Sequence, residues 1–159
     1  MAKRVLSVEE AMLLPDNCFG RIWPIGVCLD PGSGVTQYAI ADLAFPERMV
    51  VWEWLVNWRH ATTGVVAIRM ALGDQLPATA AEFNALQVFM PGVGRSVAGS
   101  YYHYTQDVGA FALRRLRIPI MTSGQRLVCE ATNVGAGVGD TTVTLVVSSI
   151  PTEVPDWLH

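Results

Sequence analysis

The chain has 159 residues, 51% hydrophobic and only 16% charged, with a net charge of −3 and a mean hydropathy of +0.32. That length suits one domain whose core closes without staples, and the charge balance is wrong for a general nucleic-acid binder. No run reaches the ~18 consecutive apolar residues of a membrane-spanning helix, so apolar content in excess of the usual soluble composition points to burial against other chains, the alternative being an unusually apolar core within one chain.

The first segment, "MAKRVLSVEEAMLL", starts basic, but Glu9 and Glu10 interrupt the apolar stretch that a signal peptide requires; cytoplasmic synthesis is expected. Ser7 followed by Glu10 is a capping-box pattern, which predicts a short helix over "SVEEAMLL" stopped by Pro15 and Asp16. Two turns are marginal alone, so residues 1–17 read as an arm that needs a surface to dock on.

From Cys18 the apolar period becomes two. "GRIWPIGVCL" predicts a strand with Ile25, Val27 and Leu29 on one face and with Pro24 suited to an edge or bulge. "DPGSG" is a turn, and "TQYAIADLAF" a second strand ended by Pro46. "RMVVWEWLVNW" then predicts a strand with Val50, Trp52, Trp54, Val56 and Trp58 on a single apolar face. Three indoles on one face suit a sugar-stacking platform, but burial in a sandwich is the stronger drive, since each hides roughly 150–250 Å². Trp58, beside the following loop, is the one placed to reach an interface.

"RHATTG" reads as a hairpin loop and "VVAIRMAL" as the returning partner, with Val66, Ile68, Met70 and Leu72 on one face. "PATAAEFNAL" has helical propensity with Thr79 as cap, "LQVFM" suits a strand, and "PGVGRSVAGS" reads as a loop. "YYHYTQD" and "AFALRRLRIPI" follow as strands, and "TSGQ" as a turn. "RLVCEATN" and "TTVTLVVSSI", flanking "VGAGVGD", read as a closing hairpin with a glycine-rich tip. The tail, 151–159, is proline-spaced and extended. Seven or eight short strands with frequent turns predict an all-β fold: one antiparallel β-sandwich of jelly-roll kind over 18–150, with an N-terminal helical arm and a C-terminal tail.

Chemistry-bearing patterns are sparse. "GAGVGD" has a strand after it, where a nucleotide loop needs a helix, and "PGVGRS" lacks the phosphate-binding lysine. His60, His103 and His159 are far apart, and Cys18, Cys28 and Cys129 have no metal spacing; Cys18 and Cys28 are able to pair, leaving one thiol. Ser96, Ser100, Ser123 and Ser148 sit in no nucleophile elbow, and Glu9 and Glu10 are first-turn helix charges. No enzyme, cofactor or metal is expected. The candidate contact residues are Trp58, Tyr101, Tyr102, Tyr104, Arg114, Arg115, Arg117 and Trp157. Tyrosine joins an apolar face to a hydroxyl, and arginine makes forked bonds to carboxylates. Ten of the eleven basic residues are arginine; a bias toward partner-facing charge and a GC-rich genome both produce that.

The run "IPIMTSGQRLVCEATNVGAGVGDTTVTLVVSSIP" resembles the closing part of β-sandwich virion proteins of tailed bacteriophages, in the order Gly-Gln turn, strand ending "ATN", glycine-rich tip and Thr/Val strand. The resemblance implies a non-enzymatic capsid decoration or cement subunit on the capsid exterior, a homotrimer contacting the major capsid protein, with no direct nucleic-acid or membrane contact. A carbohydrate- or receptor-binding module of a tail tip or fibre is the alternative.

Overall fold

The computed structural model describes residues 4–45, 48–60, 64–97, 101–107, 118–120, 124–137, 139–154 and 156; for Asp16, Trp23, 58–60, 64, 90–97, 101–107 and 118–120 it describes the backbone alone. The strands are β1 (Trp23–Leu29), β2 (Thr36–Ile40), β3 (Met49–His60), β4 (Gly64–Gly73), β5 (Gln87–Val97), β6 (Tyr101–Asp107), β7 (Ile118–Ile120), β8 (Arg126–Asn133) and β9 (Gly139–Ser149). Two short helices, α1 (Val8–Met12) and α2 (Ala80–Ala85), join them.

Pairing runs from the chain ends inward. β1 pairs with β9, β2 with β8, β3 with β6 and β4 with β5, all antiparallel. That is the pattern of one long hairpin whose tip is the β4–β5 connection. Two further pairings, β9 with β3 and β8 with β4, close the rolled ribbon into two sheets ordered β1-β9-β3-β6 and β2-β8-β4-β5, with β7 on β3 beside β6. The all-β, jelly-roll-like sandwich expected from the strand spacing is what the chain forms.

The roll-up corrects two local readings. "RHATTG" is no hairpin loop, because β3 and β4 belong to different sheets; the closing pair β8 and β9 likewise lies one strand in each sheet. Short turn signals mark a reversal but do not say which sheet receives the next strand. A third correction concerns "PGVGRSVAGS": residues 91–97 continue β5. β5 ends its sheet, where a proline and glycines cost few ladder bonds.

The space between the sheets is the main core. Ile25, Val27 and Leu29 enter from β1, Val66, Ile68, Met70 and Leu72 from β4, Leu127, Cys129 and Ala131 from β8, and Val143, Leu145 and Val147 from β9. These alternations match the sequence periods. Proline at position 24 lies on edge strand β1, as its missing N–H requires. Gly26, beside it, is needed for close approach: a Cβ there would sit 3.0 Å from the Val143 carbonyl oxygen.

Candidate functional site

The tryptophan-rich strand does not present one apolar face. Register across β3 and β9 runs Val51 to Val147 and then Glu53 to Val146, so Trp52 is an inserted bulge residue. One extra residue reverses the side-chain parity beyond it. Met49 and Val51 therefore enter the core before the bulge, and Trp54 and Val56 after it, while Val50 and Trp52 belong to a separate cluster outside the sandwich. The indoles at 52 and 54 are on opposite sides of the sheet, and the stacking platform is not built. The Trp54 indole N–H is buried with no hydrogen-bond partner among the described residues; an unmet buried donor costs about 1–3 kcal/mol.

The outer cluster is where both arms dock. Ser7 accepts from the Glu10 N–H at 3.1 Å, and the Glu10 carboxylate accepts from the Ser7 N–H at 2.9 Å, completing the capping box. Arg4 pairs with the same carboxylate. The preformed turn of α1 packs Leu6, Val8 and Ala11 on Val50, Trp52 and Ile150. The Trp52 indole donates to Ser148 Oγ at 2.7 Å, and the Phe19 ring meets it edge-on, with centroids 5.2 Å apart. The C-terminal tail runs alongside: the Leu6 N–H donates to the Thr152 carbonyl at 2.9 Å, and Val5 bridges Glu153.

The outer face of the second sheet is covered differently. Phe83 of α2 is fully buried on Ala71 and Val128. Beside it Arg69 binds Glu130 in a fork, Nε to Oε1 at 2.6 Å and Nη2 to Oε2 at 2.8 Å, while Nη1 donates to Asn84 Oδ1 at 2.8 Å. The guanidinium carbon lies 4.7 Å from the centre of the Phe83 ring. Tyr38, in register with Glu130, has its hydroxyl pKa raised, first by desolvation and then by the Glu130 charge. Forked geometry, low exposure and the ring contact make this a structural clasp for α2.

The glycine-rich tip is also structural. Buried Asn133 donates to the Pro31 carbonyl at 3.0 Å and the Gly137 carbonyl at 2.8 Å, and accepts from the Gly135 N–H at 2.9 Å. All three cysteines are free; burial pushes the Cys129 thiol far up. A cleft of about 290 Å³ is lined by Cys28, Leu29, Asp30, Asp140, Thr141 and Thr142, and one of about 530 Å³ lies beside Gly73, Leu86 and Gln125. Among the described residues no three His, Cys, Asp or Glu side chains converge as a metal site.

Of the sequence-expected contact residues, β6 places Tyr102 in register with Trp58, Tyr104 with Val56 and Tyr101 with Arg59, so positions 102 and 104 share one parity and 101 has the other. The side chains of Trp58 and the three tyrosines, and all of Arg114, Arg115, Arg117 and Trp157, lie outside the described residues. Val5, Leu13, Ile22, Leu43, Leu76 and Val134 are each more than half exposed, Leu13 at 86%. Several sit at segment ends, where periodicity has no second turn or strand repeat with which to assign a face.

No family model and no curated protein matches the chain. Among solved structures it is similar to a chain of the cyanophage Pam1 capsid asymmetric unit, with a TM-score of 0.43 and 10% identity over 82% of this chain and 86% of that one. A chain from Bacillus endospore appendages, described as disulfide-linked pili, gives 0.35 and 14% over 84% and 91%. A chain of infectious bursal disease virus, Gx strain, gives 0.40 and 15% over 85% of this chain but only 34% of that longer one. At these identities and scores none of the likenesses assigns a role.

Proposed function

We propose that the chain is a virion structural subunit: a capsid decoration or cement protein, assembled as a homotrimer on the capsid exterior and contacting the major capsid protein. The observation that carries the assembly part is the apolar surface left outside once both sheets have closed, on a chain poor in charge. The jelly roll is an architecture used by viral capsid proteins, lectins and cupins, and fold alone does not choose among them. The virion choice rests on the resemblance of the closing run, whose described residues form β7, β8 and β9, the last two central in their sheets. Trp52 and Trp54, on opposite sides of the sheet, remove the feature that favoured a glycan-stacking module.

The test has two parts. Native mass spectrometry of the purified chain is expected to give a trimer or a multiple of three. Sedimentation with isolated shells is expected to bring the chain down and to raise the temperature at which the shells open. A monomer at every concentration that also stays in the supernatant overturns the reading.

A further inference from the structure

An edge strand exposes a row of unpaired backbone N–H and C=O groups, and proteins that stay apart blunt such edges. This fold has five strands on sheet edges, β1 and β6 with β7 beside it in the first sheet, and β2 and β5 in the second. Four of them are blunted. β1 carries Pro24 and Gly26; β2 is five residues long; β5 carries Pro91 and its register with β4 slips twice; β7 is three residues with Pro119 at its centre. β6 is the exception. Its seven residues, "YYHYTQD", contain no proline, glycine or lysine, and they pair with β3 in unbroken register from Glu53–Asp107 to Arg59–Tyr101. The Tyr- and Thr-rich sequence has high strand propensity. Among the described residues no strand pairs with its other side.

We propose that β6 is the edge at which a second copy of this chain pairs, antiparallel and about a two-fold axis, so that two first sheets become one continuous sheet. The occupant follows from the strand's own sequence. A two-fold pairing that uses the whole strand must be centred on its fourth residue, Tyr104. Tyr101 then faces the partner's Asp107, Tyr102 the partner's Gln106, and His103 the partner's Thr105. No like charges meet, and the one charged residue of the strand, Asp107, stands at an end of the pairing. The contact differs in symmetry from the trimeric one proposed above, being two-fold, and does not depend on the virion reading.

Positions 103 and 105 are in register with Asn57 and Leu55, outside the main core, so they can be changed without repacking it. The double variant His103→Lys with Thr105→Lys sets lysine against lysine twice across the axis. His103→Lys with Thr105→Glu sets lysine against glutamate twice. Mass by light scattering is read over a concentration series, with thermal unfolding as the check on folding. The expected result is an even-numbered wild-type assembly. The lysine pair should weaken it at least about tenfold, and the lysine–glutamate pair should keep it. The proposal is overturned by a wild type with no even-numbered species, by a lysine pair of unchanged mass, or by both double variants dissociating alike. A trimer that survives both variants with no even-numbered species upholds the trimeric contact and removes this one.

Discussion

The two sheets cover their outer faces by opposite means. The first is capped by the chain ends: α1 and the C-terminal tail meet over Trp52, joining residues such as Leu6 and Ile150 from the two ends of the chain. The second is capped locally by α2, which lies in the connection between the paired strands β4 and β5. The first cover packs apolar side chains around the Trp52–Ser148 bond and the tail's backbone bonds; the second is pinned by the charged fork of Arg69 on Glu130. A cover made from neighbouring chain closes with its sheet at small entropic cost, whereas one made from both ends is added to a sandwich that already has its core. Local opening is therefore expected first at the arms.

Substitutions separate the two covers. The largest effect belongs to Phe83→Ala: loss of a fully buried ring is expected to cost about 3–4 kcal/mol, read as a lower urea midpoint for the whole domain. Next comes Arg69→Met, which leaves Glu130, only 6% exposed, without its fork. A loss of about 2 kcal/mol is expected after allowing for the partial exposure of Arg69, and Glu130→Gln in the same chain should restore part of it. The smallest is Ser7→Ala, which removes the capping box and about 1 kcal/mol of helix stability. Its effect should show as faster amide exchange in residues 8–12 with no change in the global midpoint. If Ser7→Ala shifts the global midpoint as Phe83→Ala does, the arm is part of the same cooperative unit and the contrast between the two covers disappears.

Several elements were legible because their signals are local. The capping box at Ser7 and Glu10, Thr79 as the cap of α2, and the core alternations of β1 and β4 each need only a few neighbouring residues to be recognised. The clasp of Tyr38, Glu130 and Arg69 was invisible, since its members come from three strands and become a row only through cross-strand register. The same holds for Asn133, whose neighbours Pro31 and Gly137 give no sign in the chain that they share one side chain.

What the amino-acid sequence determined by itself was the all-β character, the short capped helices and the apolar faces of regular strands, because period-two alternation and turn residues act within a few positions. What only the tertiary structure decided was the sheet to which each strand belongs and the side on which each indole lies. A single inserted residue at Trp52 reverses every side chain beyond it. Its presence follows from the alignment of β3 with β9, a strand from the far end of the chain, and no local pattern carries that information.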